Sequence, residues 1–502
     1  MRVSEFEHEL WCLDQRINDR GILIDTDLAH AAMTACEKEK RELDAQVSAL
    51  TGGAIDSGTQ RQRIFERLKA QGVALPDLTK NTVDNALDDE TLTDEVRALL
   101  QARQIVSKAS TAKYARILGA VGPDNRLRGS LQYCGASRTG RWAGRIFQPQ
   151  NMPRPSRDAD AVLQCVDALK GGYADLVYDN MHEVCADSLR SLIIAPPGKQ
   201  LVVADYSSIE GRARDWLAHE QWKLDAYHDG RDMYVETYRA TYGLPADAQV
   251  SKGYRQHGKV LELSMGYEGG VGALVNMAGV YRVDLAELGA GAWGAASADI
   301  RRYTKKLWNW ALMRPESVED AEALGEVLYR QLECAKLLWR AASPEVVRLW
   351  GAYDTAAREA LQQPGAMFRA GRCEFRAFPG TLTVRLPSGR VLFYHGAKIH
   401  KDGSLSALAP MGGRANLYGG FLTENITQAV ARDLLAVALM RTDKDAGLDI
   451  VLHVHDEIIA EADEADDTAL ARLCDAMEKL PRWAVGLPVK AEGYTAPRYR
   501  KD

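Results

Sequence analysis

Apolar residues recur at three- and four-residue spacing from Glu5 to Gln15 and from Asp27 to Leu50, the period of helices with one buried face. Thr51-Gly52-Gly53 and Asp56-Ser57-Gly58 break the pattern, which resumes over Arg61 to Gln71 and Asp94 to Leu118. Residues 1 to about 120 therefore read as an elongated, largely helical subdomain. Residues 121–157 are rich in Gly, Pro and Arg and read as loops and short strands. Leu201-Val202-Val203-Ala204-Asp205 is an apolar run of strand length, and Ser208 to His219 leaves it as a helix. Residues 221 to about 365 are mainly helical; Trp293, Trp308, Trp310, Trp339 and Trp350 are expected to pack between those helices. Residues 373–400 alternate as strands around Leu386-Pro387-Ser388-Gly389-Arg390, a hairpin turn. Glu424 to Met440 is a further helix. Val451 to Glu461 is a strand, tight turn, strand unit with His455-Asp456 near the turn. There is no internal repeat or low-complexity segment.

At 502 residues the chain is too long for one core, so roughly two to four subdomains are expected. No run approaches the ~18 apolar residues of a membrane span. Met1-Arg2-Val3-Ser4-Glu5-Phe6 has no apolar signal core. The 8 cysteines are scattered without a CxxC pair, which argues against a zinc site or disulfide framework and suits a reducing cytoplasm. A net charge of -6 disfavours indiscriminate binding to nucleic acid. Its distribution changes that picture. Asn125 to Arg157 holds seven arginines and no acid, and Arg369 to Lys401 holds seven cations against Glu374. Such local tracts fit phosphate tracking along a defined groove.

Asp205 and Asp456 each sit at the end or turn of an apolar strand. Two carboxylates delivered this way can meet in space, hold two divalent metals and support in-line phosphoryl transfer. Oxygen donors suit magnesium, a hard cation. Between them Arg255, Lys259, Leu263 and Tyr267 follow at steps of four, one stripe of a helix with two cations at one end. Metal carboxylates, a cationic stripe, then a carboxylate hairpin is the order that a nucleotide polymerase needs.

The residues around these positions carry a family resemblance. Asp-Tyr-Ser-Ser-Ile-Glu-Gly-Arg at 205–212 resembles motif A of family A DNA polymerases, Asp-Tyr-Ser-Gln-Ile-Glu-Leu-Arg, with Ser208 for Gln and Gly211 for Leu. Arg255 to Tyr267 is similar to motif B, and His455-Asp456-Glu457 to motif C. Thr139-Gly140-Arg141, followed by Gln148-Pro149-Gln150-Asn151-Met152-Pro153, resembles the Thr-Gly-Arg and Asn-Leu-Gln-Asn-Ile-Pro segment. The four motifs stand in the family's order, and the resemblance runs from about residue 5 to the end. It implies an α+β right-hand polymerase with a small antiparallel palm sheet. The thumb would be 1–124, the palm 125–220 and 373–502, and the fingers 221–372. It implies a template-directed DNA polymerase, phage type, adding dNMP to a primer 3′-hydroxyl and releasing pyrophosphate. Two Mg²⁺ ions are the implied cofactors, with Mn²⁺ able to substitute. Primer-template DNA and dNTPs are the implied partners, and an exonuclease, clamp or helicase would be separate. A monomer in the cytoplasm, of a bacterial host if phage-encoded, is expected.

The resemblance also assigns residues. Asp205, Asp456 and the Tyr206 carbonyl would hold the metals, and Glu457 is either an auxiliary acid or a mere hairpin residue. Arg255 and Lys259 would meet the β- and γ-phosphates, Lys259 protonating the leaving pyrophosphate. Ser207 and Ser208 would line the nucleotide site. Glu210 would lie under the sugar, block a 2′-hydroxyl and hydrogen-bond Tyr267. Leu263 stands where an aromatic residue is usual. Tyr234 replaces a usual His at the β-phosphate and can donate a hydrogen bond without charge. Arg138, Arg141, Arg145, Gln148, Asn151, Asn425, Gln428 and His455 would follow the primer-template, testing minor-groove shape rather than sequence. Arg432 is expected to be structural. The proofreading signature is missing: the nearest candidate before residue 120, Asp25-Thr26-Asp27, lies in a segment that looks like the opening of the polymerase portion. A naturally short polymerase, a separate proofreader and a truncated chain all remain open. The rivals are a single-subunit RNA polymerase, which Glu210 argues against, and an inert DNA-binding scaffold, which the intact carboxylates and cations argue against. Reverse transcription as a side activity stays open.

Overall fold

Ser4 starts the first helix, α1 (Glu5–Arg20), by accepting the Glu7 amide on its hydroxyl at 3.2 Å. The computed structural model describes residues 4–107 and 110–500. Asp25 caps α2 (Thr26–Leu50). The first half of α2 buries Leu28, Ala29, Ala32 and Cys36 in the main core, while Val47 near its end joins a second core with Ile64, Leu68, Val96 and Leu99. The N-terminal helical region thus has an outer part with its own apolar interior. In contrast, α1 docks beside the central sheet: Arg20 donates to the Ile450 carbonyl at 2.5 Å and pairs with Asp449 at 2.8 Å. The helical pattern over Asp94 to Leu118 is realised as Asp94–Ser107 and Ser110–Leu118; residues 108–109 lie outside the described residues, as does Met1-Arg2-Val3 of the N-terminal segment.

The rest of the chain alternates helices and strands. In order come β1 (Lys199–Tyr206), α3 (Ile209–Ala218), α4 (Met233–Tyr242), α5 (Lys252–Met265), α6 (Val318–Ala342) and α7 (Pro344–Gln362). Then follow β2 (Met367–Ala370), β3 (Cys373–Phe378), β4 (Thr381–Arg385), β5 (Val391–His395), α8 (Gly419–Lys444), β6 (Asp449–Val454), β7 (Glu457–Asp463), α9 (Ala469–Glu478) and β8 (Ala491–Ala496). The central sheet is antiparallel in the order β6-β7-β1-β8. Alternation sends Val202, Ala204 and Tyr206 toward the helices behind the sheet, where the Tyr206 hydroxyl donates to the Met477 carbonyl of α9 at 2.7 Å. Val203 and Asp205 consequently point to the opposite face. A second sheet, β5-β4-β3-β2, packs on α7 through Phe375 against Tyr353, ring centroids 5.4 Å apart.

Trp339 and Trp350 are buried and stack at 6.2 Å, and Trp308 meets Tyr329 edge-on at 5.5 Å, as inter-helix packing requires. Trp310 departs from that expectation: it is 52% exposed. The arginine tracts also need correction. Arg126 holds Glu461 at 2.9 Å, Arg157 holds Asp187 at 2.6 Å, Arg390 holds Asp433 at 2.6 Å, and Arg369 and Arg385 share Glu374. Acids from outside the tracts, together with Glu374 within one of them, neutralise much of what the local composition presents as free charge. All eight cysteines are free thiols, and among the described residues no helix is long and apolar enough to cross a membrane.

Candidate functional site

Asp205 is the penultimate residue of β1, and the register sets it opposite Glu457 on β7 and Glu492 on β8. Directly opposed residues share a face at roughly 4.5–5.5 Å between Cβ atoms. Three carboxylates therefore cross three strands in one row, along a cavity of 240 Å³. Glu457 is buried at 3% exposure, and the Tyr499 hydroxyl donates to it at 2.5 Å while receiving Arg190 at 3.0 Å. Asp456 lies in the β6–β7 turn, where its carbonyl accepts the Tyr206 amide at 3.1 Å. That bond ties the two carboxylate-bearing segments together. Ser208 and His455, beside these segments, both hold positive φ (50° and 56°) without being glycine, the kind of backbone that clusters at functional sites. The Ser207 amide donates to the Lys490 carbonyl at 2.9 Å, fixing the turn after β1.

The cationic stripe lies on α5. Ser251 caps it, and Gly258 lets α4 approach: a Cβ there would stand 2.0 Å from the Tyr234 carbonyl oxygen. Close approach brings the Tyr234 ring beneath both cations, 5.0 Å from the Arg255 guanidinium and 5.7 Å from Lys259 Nζ. Arg255 also binds Asp232, the α4 cap, at 2.6 Å. Lys259 sits 4.1 Å over Tyr281. Burial, then the charges of Arg154 and Arg255, lower its pKa. Leu263 is 38% exposed and lines a 320 Å³ cleft with Tyr234, Tyr267, Glu210 and Asp456. The helical stripe needs one correction: α5 ends at Met265, and Tyr267 stands in the following turn. Close packing and one hydrogen bond hold that turn. A Cβ on Gly266 would meet Arg214 at 2.1 Å, and the Glu268 carboxylate accepts the Gly420 amide at the start of α8 at 2.8 Å.

Glu210 pairs with Arg141 at 2.5 Å, and the hydrogen bond expected between Glu210 and Tyr267 does not form. A guanidinium outcompetes a neutral phenol for a carboxylate. Tyr267 stays close: burial, then the Glu210 charge, pushes its phenol pKa up. Behind this cleft, Glu262 is fully enclosed by Arg214, Lys223 (2.7 Å), Thr237 (2.9 Å) and Trp339 (3.2 Å). Burial alone would raise its pKa, but the two cations hold it below the usual carboxylate range. This network joins α3, α4, α5 and α6. At position 211, where the family's Leu is absent, the Tyr227 hydroxyl fills the space; a Cβ on Gly211 would stand 2.8 Å from it.

Of the groove residues, Arg138 lies 5.1 Å over Phe421 and borders a 400 Å³ hollow with Glu424, Asn425 and Gln428. Gln428 donates to Glu424 at 3.2 Å and is partly exposed, whereas Asn425 is 5% exposed, too buried to reach far outward. Arg145 is exposed. Asn151 donates to Gln148 at 2.9 Å on the surface. Arg432 is structural as expected: it binds Glu7 at 2.7 Å and the Gly140 carbonyl at 3.1 Å and lies 4.8 Å over Trp142. Asp25 is structural too, capping α2 at Leu28 and pairing with Lys170 and Arg498 at 2.9 and 2.6 Å. Reading the motifs left out Glu492, Arg154, Asp232, Tyr281 and Glu424. Asp232 is visible as a helix cap and Arg154 as one arginine of the basic tract, but Glu492, Tyr281 and Glu424 carry no local signal for the site and reach it only through folding.

An antiparallel sheet bearing carboxylates, beside a helix that aligns Arg255 and Lys259, is the layout of a right-hand nucleic-acid polymerase. A model of DNA polymerase family A matches residues 26–317, a span that stops before His455-Asp456-Glu457. A DNA polymerase of Bacillus phage SP02 is 34% identical over 521 residues, covering 100% of this chain and 72% of that protein. DNA polymerase I of Pseudomonas aeruginosa is 22% identical over 291 residues, 56% of this chain and 28% of that one. The POL domain of Pol1 from M. smegmatis, in complex with DNA primer-template and dNTP, matches with a TM-score of 0.59 at 15% identity, over 97% of this chain and 68% of that one, and shows the fold. The chain belongs to DNA polymerase family A. It is a DNA-directed DNA polymerase of phage type.

Proposed function

We propose that this polymerase adds dNMP to a primer 3′-hydroxyl by two-metal phosphoryl transfer, directed by a DNA template. The observation that carries the reading is the row of Asp205, Glu457 and Glu492, tied by the Tyr206 amide to the Asp456 turn. Asp205, Asp456 and the Tyr206 carbonyl would hold two magnesium ions, which when bound activate the primer hydroxyl and neutralise the triphosphate. All three are hard oxygen donors, which fits. Among the described residues no group of three His, Cys, Asp or Glu side chains makes a closed metal cage, so the remaining magnesium ligands would come from phosphate oxygens and water. Manganese accepts the same donors.

The remaining roles fall to side chains. Arg255 exchanges Asp232 for phosphate oxygens. Lys259, whose pKa is lowered, gives its proton to the departing pyrophosphate. Tyr234 steers both cations and offers its hydroxyl. Leu263 and Tyr267 wall the base and sugar, and Glu210, held by Arg141, closes the space of a 2′-hydroxyl. Ser207 and Ser208 border the triphosphate. Arg138, Arg145, Gln148, Asn151, Gln428 and His455 track the primer-template. The fingers, 221–372, close on the palm, and the helical 1–124 segment grips the duplex as a thumb. Asp25 is committed to its helix cap and its ion pairs with Lys170 and Arg498, so it is not proposed as a proofreading carboxylate. The enzyme works as a monomer in the cytoplasm of a bacterial host.

The test is extension of a labelled primer with magnesium, comparing dNTPs with NTPs, in wild type and Asp205→Ala. Extension with dNTPs alone, lost in the variant while primer-template binding persists, supports the reading. Normal extension by the variant overturns the metal assignment, and NTP use points to RNA synthesis.

A further inference from the structure

The sheet β5-β4-β3-β2 buries one face on α7 and leaves the other without a packing partner among the described residues. Alternation decides which residues stand there. Leu382, Val384, Leu392 and Tyr394 turn inward. Outward, the register aligns Phe378, Thr381 and His395 in one row and Arg376, Thr383 and Phe393 in the next. A third row holds Glu374 and Arg385, flanked by Arg369. Phe378 is 50% exposed, Phe393 36% and Met367 42%. Large apolar side chains gathered on one solvent face mark an interaction site.

The charge on this face favours one kind of partner. Three arginines stand against one acid: Arg369 and Arg385 share Glu374, and Arg376 pairs with no acid among the described residues. Lys398 and Lys401, which follow β5 in the chain, are exposed as well. The Phe393 and His395 rings stack, with centroids 6.1 Å apart and planes within 12° of parallel, on the exposed side of the sheet. Aromatic rings among cations on an open sheet suit unpaired bases, which stack, and a backbone, which is held by charge; a duplex hides its base faces.

We propose that this sheet face binds single-stranded DNA, at a site separate from the catalytic cleft. The inference does not depend on the metal assignment, because no residue of the face belongs to the cleft.

The experiment saturates the enzyme with an unlabelled hairpin primer-template of minimal overhang, then titrates fluorescent oligo(dT) by anisotropy. Oligo(dT) should bind the blocked enzyme. Phe378→Ala combined with Phe393→Ala should weaken this by roughly tenfold or more. Arg376→Gln, tested alone, should reduce the slope of log affinity against log salt by about 0.7. Hairpin extension should be unchanged in both. Absence of binding to the blocked enzyme, wild-type binding by both variants, or tighter binding of a duplex or of oligo(U) would each overturn the proposal.

Discussion

Glu210 and Arg141 meet at 2.5 Å, joining the residue proposed to judge the sugar to a motif proposed to face the primer-template. Glu210→Ala removes the carboxylate and strips Arg141 of its partner. The ratio of kcat/KM for dNTP over NTP should fall by at least about tenfold, ~1.4 kcal/mol. Arg141→Gln should weaken primer-template binding with a smaller effect on that ratio. Unchanged sugar selection in Glu210→Ala would remove the gate.

Asp205 and Glu492 oppose each other across β1 and β8. Asp205→Ala should lower extension by more than about 10²-fold without loss of DNA binding. Glu492→Gln tests whether the third carboxylate of the row helps; a changed magnesium dependence with normal folding would show that it does. Tyr499→Phe removes the hydroxyl that donates to the buried Glu457 carboxylate and should cost about 1–3 kcal/mol of stability. Chemical denaturation measures it.

Glu262 offsets Arg214 and Lys223 inside a site that excludes water. Glu262→Gln leaves the buried Lys223 without its carboxylate and Arg214 with Asp215 alone, at 2.7 Å, and about 3–5 kcal/mol of stability should be lost. Because the network spans α3 to α6, the loss should appear in the unfolding of the whole helical unit. A change under 1 kcal/mol, roughly the worth of a surface pair, would mean that the network relaxes easily.

Lys259 is deprotonated more readily than an exposed lysine, by burial and then by Arg154 and Arg255. The proton it is proposed to donate is present below its lowered pKa and lost as pH rises through it. Activity should therefore decline on the alkaline side. Arg154→Ala removes one repelling charge and should move that decline to higher pH in single-turnover profiles. An unmoved profile argues against Lys259 as the acid.

His453 is buried against Trp142, ring centroids 4.7 Å apart, and burial, then the Arg432 charge, lowers its pKa to about 3. The unfolded chain takes up this proton near pH 6.5, while the folded chain resists until about 3. The contribution is therefore complete above 6.5 and is lost as pH falls toward 3, at up to about 1.4 kcal/mol per pH unit. Urea midpoints between pH 7 and 5 should fall in wild type and fall less in His453→Phe.

Elements with a clear period were legible before folding. Lys199–Tyr206, Gly419–Lys444 and the β6–β7 hairpin lie where the apolar pattern puts them, to within a few residues. The sequence pattern assigns no element to residues 159–188, which form three helices, and it places Trp310 inside, although Trp310 faces solvent. Period and composition report which residues can be buried, not which neighbour arrives to bury them.

The sequence by itself determined where chemistry enters the strand and helix framework: Asp205 at a strand end, Asp456 in a turn, and Arg255, Lys259 and Leu263 on one helical face. Those relations are local, set by backbone periodicity within a few residues. Tertiary structure alone decided the partnerships. It placed Glu492 opposite Asp205, gave Glu210 to Arg141 instead of Tyr267, and spent Arg126 and Arg390 on acids far along the chain. A charge finds its partner by distance in space, and that distance exists only once the sheets and helices have packed.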